Sequence, residues 1–192
     1  MNESTQKPAI SAPFWLICGL IAFAVAVRLL AHFVPSAVPY NFAPVGAIAL
    51  FGGAWFADRR YAFIVPISAM LISDLLIELH PLLPVVYACM ALTTLLGFAM
   101  RGRVNAWRVA SSGVASAVLF FLVTNLAFWL TQFIYPQLTY PMTAAGLVEC
   151  YAAAIPFFKN DLIGTLLWSA VLFGGYALLR GRVGMAPHTA RT

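Results

Sequence analysis

The sequence predicts an all-α integral membrane protein, a bundle of six transmembrane helices in which one helix is short or broken. Three observations carry that reading. The chain of 192 residues is 62% hydrophobic and 9% charged, against about 25% charged residues in a soluble domain. Its mean hydropathy is +0.90; a globular core cannot absorb that much apolar surface, whereas a bilayer can. The apolar residues also fall in runs close to the roughly 20 needed to cross about 30 Å of hydrocarbon. We read one polytopic domain, residues 13–182, between a tail at 1–12 and a tail at 183–192, with no soluble module and no internal repeat.

The spans are expected near 13–34, 44–57, 61–79, 83–100, 107–132 and 158–180. The first is too long and too weakly flanked by charge for a cleaved signal peptide. The second is short, and its Gly52-Gly53 pair suits a broken or tightly packed helix. Joints are marked by "PSAVPYN" at 35–41, "ADRR" at 57–60, "ELHPLLP" at 78–84 and "RGRVNAWR" at 101–108. A long connection follows at 133–157, and "PFFKNDL" is expected to open the last helix, with Pro156 at its entry.

Basic residues orient the bundle. Lys7, Arg59, Arg60, Arg101, Arg103, Arg108, Arg180, Arg182 and Arg191 fall at the two tails and at alternate loops; only Arg28 and Lys159 lie elsewhere. With six spans the larger set shares one side, which the positive-inside rule makes cytoplasmic, with both termini, in a bacterial inner membrane. The formal charge of +5 is accordingly no nucleic-acid footprint.

Several chemistries are excluded. The only lysines, Lys7 and Lys159, precede Pro and Asn, so there is no phosphate-binding loop and no nucleotide site. There is no H-E-x-x-H, C-x-x-C or G-x-S-x-G. Transport against a gradient would need a partner or another energy source.

The polar residues inside the spans share a depth. Arg28 lies about 9 Å below the outer end of the first span at 1.5 Å per residue. Asp74 and Glu78 close the third, Asn125 is in the outer half of the fifth, and Lys159, Asn160 and Asp161 begin the sixth. Charges in a bilayer pair with one another or line a cavity. Local pairing, Arg28 with Asp74 for instance, explains each residue singly; the common depth argues for an outward-facing cavity. Three dispersed cysteines, Cys18, Cys89 and Cys150, argue against a disulfide framework, with a Cys89–Cys150 bridge left open near an oxidising face. A free cysteine is commonly a small hydrophobe. Cys89, one and a half turns into the fourth span with Tyr87 and Met90 beside it, is also placed to offer a soft thiolate to a late transition metal such as cobalt.

The segment "YNFAPVGAIALFGGAWF" after an Arg-bearing first helix, with "ISDLL" and "YACMAL" further on, resembles the substrate-binding S components of ECF-type vitamin transporters. More narrowly, it resembles the solitary cobalamin transporters of the BtuM family. The likeness covers most of residues 13–182. It implies a cysteine ligating the corrinoid cobalt, here at Cys89, and cysteine-assisted removal of cyanide from cyanocobalamin. It also implies either a coupling subunit with ATPases, docked on small residues of the first helix (Ala22-x-x-x-Ala26 fits), or no partner at all. A similar set of membrane proteins has no assigned function, and the Cys89 match separates the two.

The expectation is therefore a lipid-embedded transporter that takes cobalamin from the periplasmic side. A large amphipathic cargo needs a wide cavity with apolar walls and a few convergent polar groups. The candidates are Cys89 for cobalt and for decyanation, with Arg28, Asn41, Phe42, Asp74, Tyr87, Asn125, Tyr140 and Tyr151 around the ring. The loop at 133–157, carrying Tyr135, Tyr140 and Tyr151, would be a lid. Two rivals stand beside this: a membrane enzyme using Asp74, Glu78, His80 and Asp161, and an assembly protein whose polar residues merely pair helices.

Overall fold

The computed structural model describes residue 10, residues 13–131 and residues 140–183, with side chains to Leu179. Among them six helices follow in order: α1 Phe14–Phe33, α2 Val45–Trp55, α3 Arg59–Ile77, α4 Leu83–Ala99, α5 Ala106–Leu130 and α6 Ala144–Val183. The described residues form no named strand; Ile10 makes one isolated bridge to Phe56. The helices α1, α3, α5 and α6 are long and apolar enough to cross a membrane, while α2 and α4 are shorter apolar helices. Large side chains such as Leu75, Leu76, Leu122, Val171 and Leu178 point outward. In water these would form adhesive patches; as a lipid-facing surface they need no cover.

Local chemistry sets the boundaries. Asp58 caps α3 by accepting the Arg60 N–H at 2.8 Å, and Asn105 caps α5 by accepting the Arg108 N–H at 2.8 Å, each satisfying a donor that the first turn leaves without a partner. Proline near the start of α4 suits a position whose N–H has no helical acceptor.

The hub is α2. Ten of its eleven residues are buried, and it packs on α3, α4, α5 and α6, whereas α1 lies outside, against α3. Its approach to α4 is backbone on backbone. A Cβ on Gly53 would stand 2.8 Å from the Gly97 Cα, and one on Gly97 would stand 2.9 Å from the Gly53 Cα. That contact is available to glycine alone, and helix association in a membrane rests on such close packing. At the same end Arg101 donates to the carbonyls of Gly53 and Phe56 at 2.6 and 2.8 Å and lies 4.5 Å above the Phe98 ring. It thereby satisfies carbonyls that the end of α2 exposes. Ile10 ties the N-terminal segment to this end, exchanging hydrogen bonds with Trp55 and Ala57.

The second helix is short and tightly packed, one of the alternatives expected for it, and it is unbroken. One expectation is corrected. The last helix starts at Ala144 rather than near 158, so Pro156 sits inside it and not at its entry. The segment "AAGLVECYAAA" is rich in good helix formers, and the missing proline hydrogen bond is tolerated within a membrane helix. The lid expected over 133–157 shrinks accordingly: residues 144–157 are helix, and Tyr135 lies outside the described residues.

Candidate functional site

The short central helix creates the site. Eleven residues span about 16 Å at 1.5 Å each, roughly half the hydrocarbon thickness. The chain entering α2 therefore dips into the bundle beside the C-terminal ends of α1 and α3. Asn41 makes the turn with φ +63°, a left-handed conformation that asparagine tolerates better than most residues. Phe42 follows, its backbone seated against Gly164 of α6 and its ring 6.1 Å from Trp168.

Three adjoining cavities surround Asn41. One of about 200 Å³ is lined by Arg28, Asn41, Met70, Asp74, His80, Val86, Met90, Phe120 and Asp161, among others. A second, about 160 Å³, lies between α5 and α6 and includes Asn41, Phe120, Phe121, Asn125, Phe158 and Asp161. A third, about 140 Å³, lies beside α1 with Arg28, His32, Tyr40 and Asn41. Asn41 borders all three, and Arg28, Phe120 and Asp161 each border two.

The polar wall is built mainly on one cluster. Arg28 pairs with Asp74, donates to Ser73 Oγ at 2.6 Å and points a third nitrogen at Met70 Sδ at 3.1 Å. Tyr87 donates to the other Asp74 oxygen at 3.0 Å. The Asp74 side chain is 5% exposed, so the carboxylate is almost out of solvent and both its oxygens are occupied. Asp161 differs: it borders two cavities and has no hydrogen-bond partner among the described residues. Asn125 donates to the carbonyl of Phe121 at 2.8 Å, leaving its amide oxygen available as an acceptor. The site thus offers one neutralised ion pair, one unpaired carboxylate, His80, two amides and a thioether-and-aromatic floor.

The sequence candidates divide. Arg28, Asn41, Asp74 and Asn125 line the cavities, Tyr87 reaches them through Asp74, and Phe42 packs behind Asn41. Tyr151 lies on α6, donates to the Leu122 carbonyl at 2.7 Å and stacks against Phe121, so it ties α5 to α6. Tyr140 lies 6.3 Å from the Phe128 ring, away from the cavities. Neither forms a lid. Cys89 is fully buried. It sits between Val86 and Met90, which do line the largest of the three cavities, but is not itself in that lining. Cys89 and Cys150 are both free thiols, so the bridge left open above is absent. Among the described residues no three His, Cys, Asp or Glu side chains gather as a metal site.

Met70, Ser73 and Phe120 were not singled out by sequence; Met90 was named only as a neighbour of Cys89, His80 as part of a rival site, and Asp161 both there and among the polar residues that share a depth. The available signal was helical spacing: Ser73 and Asp74 lie three and four residues after Met70, each next to it on the helix surface.

A family model described as a family of unknown function (DUF6580) matches residues 9–188. No curated protein and no solved structure matches the chain. The family match takes in all six helices and every residue around the cavities, and the chain belongs to the DUF6580 family.

Proposed function

We propose that the protein is a six-span membrane transporter in the inner membrane that captures a solute in the cavities around Asn41, on the face opposite the arginine-rich loops. The observation that carries this is the clustering of unpaired and hydrogen-bonding groups around space at one end of an otherwise apolar bundle. A bilayer protein that only pairs its charges has no reason to keep Asp161 unpaired beside a cavity.

The cargo proposed is a corrinoid, with Cys89 as the axial cobalt ligand. Support comes from the chemistry of Cys89, a soft thiol suited to cobalt, on α4 between Val86 and Met90, which line the largest of the three cavities. Each cavity lies below the roughly 300–1,000 Å³ of a drug-sized site. A corrinoid therefore requires the three to merge, by movement of the shared walls Asn41, Phe120 and Asp161, and requires α4 to turn so that Cys89 replaces Met90. A second reading needs neither motion: a small polar solute with hydrogen-bond donors, fitting the cavity that Asp161 borders.

Titrating the purified protein with cyanocobalamin while recording its visible spectrum tests the first reading. Loss of the cyanide-bound spectrum is expected with wild type, as sulfur in one axial position weakens the ligand opposite. Cys89→Ser, which replaces a soft sulfur with a poorly ionised hydroxyl, should bind more weakly or leave the spectrum unchanged, while Cys18→Ser and Cys150→Ser match wild type. Identical behaviour of Cys89→Ser and wild type would remove the corrinoid and favour the small solute.

A further inference from the structure

The largest described cavity has no part in that site. It holds about 680 Å³ at the arginine-rich end, as a half-open groove between α5 and the second half of α6, floored by Trp55 of α2. Its walls are mainly apolar, with Val109 and Ala110 on one side and Leu166, Ala170 and Phe173 on the other, interrupted by Ser169 and Tyr176 of α6.

Its dimensions select an occupant. On α6 the lining runs from Leu166 to Ala177, about 16 Å at 1.5 Å per residue, which is close to the depth of one leaflet of hydrocarbon. The volume spread over that length gives a mean cross-section of about 40 Å², half that of a helix with its side chains, about 10 Å across. The groove suits acyl chains and is too narrow to enclose a helix.

Its mouth selects a headgroup. Val104, Asn105 and Ala106 form the rim, between Arg103, which is exposed, and Arg108, which is half-buried. Neither guanidinium has a partner among the described residues, in contrast to Arg101, which is spent on the carbonyls of Gly53 and Phe56. The one described carboxylate at this end, Asp58, caps α3. Trp107 is 79% exposed on the same turn, the placing of an aromatic side chain at a membrane–water boundary.

We propose that this groove is a binding site for an anionic glycerophospholipid, one acyl chain lying along α6 between Leu166 and Ala177 and the phosphate held by Arg103 and Arg108. Juxtamembrane cations contribute about a factor of five each toward an anionic surface, so the pair should favour phosphatidylglycerol over phosphatidylcholine by roughly thirty-fold.

Native mass spectrometry of the full chain, released from detergent with each lipid in turn, measures this directly. Wild type should retain one phosphatidylglycerol far more strongly than one phosphatidylcholine. Arg103→Gln with Arg108→Gln should bring the two lipids to near-equal retention, and Ala170→Trp or, on the facing helix, Ala110→Phe should reduce retention of both. Cyanocobalamin titration of the same variants gives an independent readout of the other site, which they should leave unchanged. Equal retention of the two lipids by wild type would overturn the headgroup assignment. Retention that neither groove-filling variant alters would overturn the site. So would a groove that holds no lipid but cross-links, from a photoreactive residue at position 170, to another protein.

Discussion

Arg28 and Asp161 border the same cavity, yet they answer to different physics. Arg28 is tied to Asp74, Ser73 and Met70, and Asp74 also accepts from Tyr87. Removing one partner of a buried pair strands the other charge and costs about 3–5 kcal/mol. Arg28→Met should therefore lower thermal stability sharply in detergent, and Arg28→Met with Asp74→Leu should restore much of it. Tyr87→Phe removes one hydrogen bond to a charged group and should cost about 1.5–3 kcal/mol. Asp161→Asn strands nothing, so its stability should match wild type while cargo affinity falls about ten-fold, the value of one charge-assisted hydrogen bond. A stability loss in Asp161→Asn comparable to that in Arg28→Met would make Asp161 another structural ion. The Arg28–Asp74 pairing was legible in the sequence because both residues stand near the C-terminal ends of helices that were expected to run in the same direction. The exclusion of Cys89 from the cavity lining was not legible: residues 89 and 90 differ by one helical step, about 100°, and only the packing of α4 on α2 decides which of them faces the space.

At the scale of helices, composition located five of the six described helices to within two residues at either end, because long apolar runs between polar joints leave the boundaries little freedom. The sixth failed for a physical reason. The segment "YPQLTYPMTAAGLVE" at 135–149 suggested a loop and Pro156 a helix entry, but a helix in a membrane retains its hydrogen bonds past a proline when every alternative leaves backbone groups unsatisfied. The Gly52-Gly53 pair was read as a break or a tight contact, and tight contact is what the fold uses. Gly53 of α2 and Gly97 of α4 touch through their backbones, and Gly97 gave no signal of its own. Gly53→Ala should overpack that crossing and cost about 1–3 kcal/mol, with Gly97→Ala similar. Gly174→Ala, whose added carbon meets nothing within 4 Å, should leave the melting temperature near that of wild type. Equal tolerance at all three positions would mean that α2 and α4 do not meet at their backbones.

For the whole molecule, four long helices and two short ones admit two insertions: six crossings, or four crossings with α2 and α4 re-entrant. The packing favours six. Gly46 of α2 lies against Thr165 of α6 and Phe51 against Phe173, so α2 runs alongside α6 from one end of the bundle toward the other. Because α2 is enclosed by α3, α4, α5 and α6, its ends meet protein rather than lipid, and a helix of about 16 Å can belong to a bundle about 30 Å thick without hydrophobic mismatch. Single cysteines at Ala37, Arg60, Leu79 and Arg103, all exposed in the loops or at a helix end, separate the two insertions when Cys18, Cys89 and Cys150 are replaced by serine. Six crossings place positions 37 and 79 on the outer face and positions 60 and 103 on the inner one. Re-entrant α2 and α4 would exchange positions 60 and 79 while leaving 37 and 103 where they were. An impermeant maleimide applied to intact cells should therefore label Ala37→Cys and Leu79→Cys, and reach Arg60→Cys and Arg103→Cys only after the membrane is opened. Labelling of Arg60→Cys in intact cells, with Leu79→Cys protected, would establish the four-span insertion. It would also put Arg59 and Arg60 on the face opposite Arg101, Arg103 and Arg108, breaking the charge asymmetry that orients the bundle.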